Sequence, residues 1–527
     1  THRDLGWDIN GDQQPWLADL LALREDQGLR AMVVDVAQIY DAFSYGIVSP
    51  KAIKDFISYV YENWTKPALK YVLLVGDATY DIKDNWGAGS VTYVPTYLTF
   101  TDYLGETATD QWVVQISGQD ALPDMAIGRL PANSVVEAAA MVGKIIAYEQ
   151  ADNTKSWEKA VLLTADNQIE AYESVFETMN EDAAALIPPD METPARFYLE
   201  EYEQELLSVE DLTADLVNTL NTGALILNYS GHAGYSMLAN ERIWDNRGFA
   251  NREDSELLTN TDKYPLVISM SCLSGYFIYP EPWTTQRSTN YHSVAEGLMR
   301  PADHGAVAAI MPTGMSTTGG QHILNNAIFE EIFTNDKRII GDALLSARLT
   351  LLANTGASYQ QISDTFLLFG DPATALKLPL PQRPTGLSVS RTTEGAILVR
   401  WEEALDCNGD PVAGYNIYRR AASESSFTKL NATLVDGLSF IDTDYSPGTL
   451  YYYAIASVDQ DHDQSAMSGA MTPAGAASSD DNLIGSACFV STSMPHQLPL
   501  VYIILFFGAV ILMLVPYLSN RISRHQL

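Results

Sequence analysis

The chain has 527 residues, of which 46% are hydrophobic and 18% charged, a composition typical of a folded protein with several domains. Its 31 basic and 66 acidic residues give a formal net charge of -35, which excludes a nucleic-acid-binding protein because such proteins need a basic surface. The three cysteines are far apart and odd in number, so they predict no disulfide framework.

Apolar strand-like runs alternate with helical stretches from residue 1 to about residue 380. The runs are continuously apolar, as in parallel strands buried on both faces. They cover residues 71–77, 159–166, 224–231, 265–272 and 305–312. The helical stretches cover residues 50–63, 134–150, 170–186 and 319–334. This alternation predicts an α/β domain whose mostly parallel sheet is flanked by helices.

Short alternating strands, separated by turn residues, occupy residues 384–473. They predict a small all-β sandwich. The stretch opens with Pro384, carries Trp401 in its second strand and has three tyrosines at 451–453. In these features it resembles a fibronectin type III domain.

The C-terminal residues predict a membrane anchor. Residues 474–497 are small and polar, which indicates a flexible stalk. Residues 498–518 contain no charge and are long enough to span a bilayer. Arg521 and Arg524 follow, so the tail at 519–527 is expected in the cytoplasm and the rest outside the membrane. Such a protein needs an export signal, and since none is visible at Thr1, we expect the natural N-terminus to lie upstream.

Two reactive side chains follow two apolar strands. The run at 224–231 ends at Gly231, and His232 and Ala233 follow it directly. The run at 265–272 ends in Ser271 and Cys272. Reactive groups gather at the carboxyl edge of a parallel sheet. Because neighbouring strands lie only about 4.8 Å apart, we expect His232 and Cys272 to face one cleft.

A cysteine and a histidine in one cleft are the groups that cysteine peptidases need. The imidazole takes the thiol proton and later protonates the leaving amine. The backbone N–H of Cys272, with that of Ala233 or Gly231, is expected to bind the oxyanion. This chemistry requires no cofactor. The alternative to a catalytic pair is a buried structural cysteine and an unrelated loop histidine. That alternative does not explain why both residues follow strands and lie near glycines.

The order of several segments resembles the gingipain family of cysteine peptidases, which share the caspase-type fold. The matching segments are residues 71–81, 123–132, 293–314 and 366–373, together with NYSGHAG (228–234) and SMSCLSG (269–275). The resemblance covers roughly residues 1–378 and implies a caspase-like peptidase domain over residues 1–380. It also implies that His232 and Cys272 are the catalytic residues.

The resemblance implies further site residues. An acid upstream of the segment at 123–132 is expected to orient the histidine, and Asp110 is favoured over Glu106. Asp120 lies where arginine-specific relatives carry the acid that binds the substrate side chain, so it is a candidate substrate-binding residue. Asp77 and Asp81 are candidate ligands of a structural calcium ion, although turn or capping roles are the more ordinary explanation.

These observations predict an exported, membrane-anchored cysteine endopeptidase that acts on proteins or peptides at the cell surface or on the periplasmic side. Two alternatives stay open. The first is a related transpeptidase that processes or attaches surface proteins, and the second is a non-catalytic surface adhesin.

Overall fold

The computed structural model describes residues 1–87, 89–118, 120–246, 253–279 and 292–473. The predicted stalk (474–497), transmembrane helix (498–518) and cytoplasmic tail (519–527) lie outside the described residues. In the ranges that are described, no helix combines the length and the apolar character needed to cross a membrane.

The helices start where local sequence favours a start. α4 begins at Pro50, whose missing N–H costs nothing in a first turn, and the Ser49 hydroxyl caps it. In the described ranges the α-helices are α1 (Arg3–Gly6), α2 (Pro15–Asp26), α3 (Val36–Ser44), α4 (Pro50–Asn63), α5 (Val135–Gln150), α6 (Val175–Ala184), α7 (Leu199–Gln204), α8 (Val209–Thr222), α9 (Val294–Met299), α10 (Thr318–Phe329), α11 (Ile340–Thr355) and α12 (Gln360–Thr365).

The strands are short and most of those before residue 380 are buried. In chain order they are β1 (Tyr71–Val75), β2 (Tyr97–Thr101), β3 (Gly105–Thr109), β4 (Ala126–Leu130), β5 (Val161–Ala165), β6 (Ala195–Tyr198), β7 (Ile226–Ser230), β8 (Ala233–Gly234), β9 (Met237–Leu238), β10 (Trp244–Asp245), β11 (Leu266–Met270), β12 (Ala308–Pro312), β13 (Phe366–Phe369), β14 (Ser388–Arg391), β15 (Ile397–Arg400), β16 (Gly414–Ala421), β17 (Thr428–Lys429), β18 (Ser439–Asp442) and β19 (Tyr451–Val458).

Eight strands form the central sheet in the order β1-β4-β13-β12-β11-β7-β5-β6. β1 and β4 are parallel, and so are β12, β11, β7, β5 and β6 along their shared ladders, whereas β13 runs antiparallel to β12. Every residue of β5, β7, β11 and β12 is buried, as their continuous apolar sequences predict. The prediction of an α/β domain with a mostly parallel, helix-flanked sheet is confirmed.

The residues from 388 to 458 form two three-stranded sheets, β14-β15-β18 and β17-β16-β19. Their buried side chains make a separate core that includes Trp401, Tyr415 and Tyr453. The inward positions alternate along β15, where Ile397 and Val399 are buried and Arg400 is exposed. This is the packing that the alternating sequence predicts, and the fibronectin type III assignment stays a prediction.

Candidate active site

The two reactive side chains follow strands that are neighbours in the central sheet. β7 and β11 are parallel, and Ser230 pairs with Met270 at the last rung of their ladder. His232 and Cys272 each lie two residues beyond that rung. The register therefore delivers both residues to the same edge of the sheet, one strand apart.

The backbone between β7 and His232 needs a glycine. A Cβ atom at Gly231 would lie 2.5 Å from the Asp166 Cβ and 2.5 Å from the Tyr229 hydroxyl oxygen. The Gly231 N–H donates to the Met270 carbonyl oxygen at 3.2 Å. This hydrogen bond extends the ladder between β7 and β11 past the end of β7. Because the Gly231 N–H is used in it, Gly231 is not available as the oxyanion donor expected from the sequence.

Two carboxylates hold His232, and both follow β5, the neighbour of β7. The buried Asp166 accepts the His232 backbone N–H at 2.9 Å. Burial raises the pKa of Asp166 to about 6. The Glu173 carboxylate lies 2.8 Å from the His232 Nε2 atom, and the Phe176 ring packs edge-on against the imidazole at 5.3 Å. Backbone and ring are thus fixed by separate groups.

The contact with Glu173 determines which imidazole nitrogen is the base. Burial raises the pKa of Glu173, but the hydrogen bonds it accepts from the Glu170 N–H and from His232 outweigh this effect and hold the pKa below its usual value. An ionised carboxylate only accepts hydrogen bonds, so Nε2 carries a proton. In the neutral imidazole Nδ1 is then unprotonated and able to accept a proton from a thiol.

Cys272 is half-buried in a tight turn after β11. Its thiol lies 3.9 Å from the Ser316 carbonyl oxygen, in the loop that follows β12. Burial raises the pKa of the Cys272 thiol, so the thiol needs a base to become a nucleophile. The next residue, Leu273, has a φ of 57°, in the left-handed region that non-glycine residues seldom adopt. Its N–H donates to the Gly314 carbonyl oxygen at 3.0 Å.

The acids predicted to orient the histidine are elsewhere. Both carboxylate oxygens of Asp110 accept hydrogen bonds from Arg129, each at 2.7 Å. The Arg129 side chain is fully buried and requires a counter-charge, which explains why Asp110 is committed to it. Glu106 is exposed on β3. The acid that reaches His232 is Glu173, which the sequence interpretation did not include.

The sequence does not predict Glu173, because the family resemblance implies an acid upstream of the segment at 123–132. The signal that identifies it is strand order: β5 pairs with β7, so acids in the segment after β5 lie beside the residue that follows β7. Asp166 and Glu173 both belong to that segment. The family resemblance indicates a different stretch of the chain and therefore does not identify these two acids.

The other predicted residues have local partners. The exposed Asp120 accepts the Leu122 N–H at 3.1 Å within a turn, and its role in substrate binding stays a prediction. Ala233 begins β8 and pairs with Leu238 of β9. No described residue accepts a hydrogen bond from the Cys272 N–H, the other predicted oxyanion donor.

The two predicted calcium ligands also bind protein groups. Asp77 lies 2.9 Å from the guanidinium of Arg300. Asp81 accepts the backbone N–H groups of Asn85 and Trp86 at 2.9 and 2.8 Å, which is a loop-closing role. Across the described ranges, no three His, Cys, Asp or Glu side chains converge as they would on a metal ion.

Comparison with known proteins shows which family the chain belongs to. The chain is 24% identical over 413 residues to Gingipain R2 of Porphyromonas gingivalis. The aligned region covers 75% of this chain and 48% of that protein. It is 23% identical over 382 residues to Gingipain R1 of the same species, covering 70% of this chain and 33% of that protein. The chain thus spans at most about half the length of these curated relatives.

The fold agrees with this similarity. The crystal structure of the Arg-specific cysteine proteinase gingipain R superposes with a TM-score of 0.53 and 19% identity, over 83% of this chain and 91% of that one. A complex of the pro- and mature domains of a Porphyromonas gingivalis gingipain gives a TM-score of 0.52. Residues 2–377 match the family described as Peptidase family C25. Because that match covers well over half of the sequence, the resemblance to gingipains is confirmed and the chain belongs to Peptidase family C25.

Proposed function

We propose that this protein is a cysteine endopeptidase that hydrolyses peptide bonds with Cys272 as the nucleophile and His232 as the acid and base. One observation carries the proposal. The in-register ends of β7 and β11 bring both residues to one edge of the sheet, and Glu173 binds the far nitrogen of the imidazole. The other ring nitrogen, Nδ1, is then the basic one and is the atom that would take the thiol proton.

The first half of the reaction forms a thioester. The His232 Nδ1 atom takes the thiol proton, and the Cys272 sulfur attacks the carbonyl carbon of the peptide bond. The oxyanion that forms accepts a hydrogen bond from the Cys272 N–H. When the intermediate collapses, the C–N bond breaks and the imidazolium gives its proton to the leaving amine. Glu173 stabilises the imidazolium because its carboxylate is negative throughout.

The second half releases the product. A water molecule attacks the thioester carbonyl carbon while the imidazole takes its proton. The C–S bond then breaks, the acid product leaves, and the sulfur regains a proton from the imidazolium. No step needs a metal ion or an organic cofactor. A calcium ion, if it is bound, would have a structural role only.

The C-terminal sequence supports a proposal for the location of the protein. The uncharged run at 498–518, with Arg521 and Arg524 after it, supports an exported enzyme anchored by one C-terminal helix. The peptidase and sandwich residues would then face the outside of the membrane, where protein substrates are met.

Replacement of the nucleophile tests the proposal. We expect Cys272→Ala to abolish hydrolysis of a peptide library, together with labelling by iodoacetamide at residue 272, because the variant lacks the proposed attacking sulfur. Cys407→Ser is the matched control, since Cys407 is also a free, partly buried thiol but lies in the sandwich. It should keep wild-type hydrolysis. Activity retained by a folded Cys272→Ala variant would remove the proposed nucleophile.

A further inference from the structure

The turn that carries Cys272 is held on both sides by the end of β12 and the segment that follows it. On the C-terminal side, Leu273 and Gly275 donate their N–H groups to the carbonyl oxygens of Gly314 and Pro312, at 3.0 and 2.8 Å. On the other flank, the thiol itself faces the Ser316 carbonyl oxygen. The position of the sulfur therefore depends on how the turn and this segment are joined.

One buried amide joins them on the N-terminal side of the cysteine. Gln321, in the first turn of α10, is 2% exposed. Its Nε2 atom donates to the Ser271 carbonyl oxygen at 2.7 Å and to the Ser316 hydroxyl oxygen at 2.9 Å. Both amide protons are thus used, one on the residue before the nucleophile and one on the residue whose carbonyl group faces the thiol.

The serine hydroxyls near this turn do not make the same link. Ser269, Ser271 and Ser274 form a closed buried ring in which successive hydroxyl oxygens are 2.7 to 3.2 Å apart. The ring satisfies these hydroxyls within β11 and its turn. The connection from the turn to α10 is made through the Ser271 carbonyl oxygen. A buried carbonyl oxygen that loses its hydrogen-bond donor destabilises the folded protein.

We infer that Gln321 is a positioning residue for the nucleophile: its amide bridges Ser271 and Ser316 and thereby fixes the Cys272 sulfur relative to His232. The inference rests on the proposed cysteine peptidase function. Gln321 does not touch the reacting atoms and acts through the backbone on each side of them. A displacement of about 1 Å at a reacting group is enough to lower a rate by about 10²-fold.

The test compares Gln321→Met with Asn325→Leu. Methionine keeps the length of the side chain and removes both donors. Asn325 is also buried, lies one turn further along α10, and donates to the Met179 carbonyl oxygen at 3.3 Å, so its loss disturbs the same helix away from the turn. For Gln321→Met we expect kcat to fall by about 10- to 100-fold with KM within about threefold, and iodoacetamide to label Cys272 more slowly. Asn325→Leu should keep both rates, even if its melting temperature falls as much.

Gln321→Glu keeps the inference testable if the methionine variant does not fold. A glutamate here is a donor only when protonated, and burial beside a carbonyl oxygen raises its pKa. Its kcat relative to wild type should therefore rise as the pH is lowered. A ratio that does not change with pH, or a folded Gln321→Met enzyme with wild-type kcat and labelling, would overturn the inference. Hydrolysis that survives Cys272→Ala would instead overturn the proposed function, so the two failures are distinct.

Discussion

At the scale of single residues, two acids position one histidine, each through a different part of it. Asp166 holds the His232 backbone and Glu173 holds its ring. The two carboxylates have opposite pKa shifts because burial dominates at Asp166, whereas hydrogen bonds to the charged form dominate at Glu173. Glu173 therefore stays ionised across the pH range in which an imidazole can act as a base.

This division predicts a specific effect of Glu173→Gln. The amide has the shape of the carboxylate but no charge, so it cannot stabilise the imidazolium. If its NH2 group faces Nε2, the imidazole proton moves to Nδ1 and the base is lost. We expect kcat to fall by about 10²-fold with little change in the melting temperature. Steady-state kinetics on a peptide substrate measure this effect.

Glu177→Gln is the control for the Glu173 variant. Glu177 lies one helical turn further on, in α6, and burial raises its pKa, so it is also a partly buried acid. It should keep kcat within about twofold, because general-base assistance is lost only where the group reaches the imidazole. Equal losses in the two variants would show that Glu173 acts through the stability of this region rather than through His232.

How far the site can be predicted from sequence depends on how local the information is. His232 and Cys272 are marked by the strands that precede them, so the pair is visible in the chain itself. Glu173 is 59 residues from His232 and becomes its neighbour only through the order β11-β7-β5. Periodicity identifies strands but not their order in the sheet, so the sequence alone does not place Glu173 beside His232.

At the scale of secondary-structure elements, Arg129 joins the parts of the sheet on the β1 side of the site. It extends from β4, pairs with Asp110, and donates to the carbonyl oxygens of Gly76 and Val94 at 2.6 and 2.8 Å. Its guanidinium also lies 4.9 Å from the centre of the Phe277 ring, in the segment after the nucleophile. The segment at 123–132, which resembles the family and contains Arg129, thus has a structural role in this protein.

This arrangement predicts that Asp110→Asn affects stability. The variant leaves a fully buried guanidinium without its counter-charge, so we expect the free energy of unfolding to fall by about 3–5 kcal/mol. Asp55→Asn, which removes the exposed ion pair with Lys51, should cost at most about 0.5 kcal/mol. Urea denaturation measures both. A large loss of kcat in Asp110→Asn without any loss of stability would instead return Asp110 to the role the sequence suggested.

Helices are predicted correctly where the apolar pattern of one helix type is long. The prediction fails where the helix type changes within a stretch. The helix expected at 50–63 is found at Pro50–Asn63. The stretch at 170–186 begins instead with a 3-10 turn over Ala171–Ser174, and only then becomes α6. Glu173 lies in that turn, where its carboxylate accepts the Glu170 N–H at 2.7 Å. Apolar spacing does not distinguish a 3-10 turn from the first turn of a helix.

At the scale of the described molecule, the sandwich is tied to the peptidase residues by charge. Lys155 binds Asp459 and, at 2.8 Å, Asp461, in the loop that follows β19. Lys159 lies 2.9 Å from Asp463 of the same loop. The Asp459 side chain is 1% exposed and that of Lys155 is 13% exposed, so this contact is better shielded from solvent than an ordinary surface pair.

Removing both lysines tests whether these ion pairs fix the sandwich. In Lys155→Ala/Lys159→Ala, three aspartates would face one another without these two lysines. We expect the free energy of unfolding to fall by about 1–2 kcal/mol in low salt, with a lower melting temperature. The hydrogen bond from Lys155 lowers the pKa of Asp461. An acid with a lowered pKa contributes stability above its ordinary pKa and loses it as the pH falls through the folded value. The difference from wild type should therefore persist from neutral pH down to about pH 4 and disappear at lower pH.

Salt and a surface control decide whether charge is the cause. In about 1 M NaCl the Debye length falls to about 3 Å, so the deficit of the double variant should shrink while the wild-type protein changes little. Lys429→Ala removes an exposed lysine of β17 and should leave the melting temperature unchanged at both salt concentrations. Limited proteolysis of the segment between β13 and β14 should be faster in the double variant, because that segment is cut more readily once the sandwich detaches. A deficit that is the same at all salt concentrations would mean that the lysine side chains stabilise the contact by packing and not by charge.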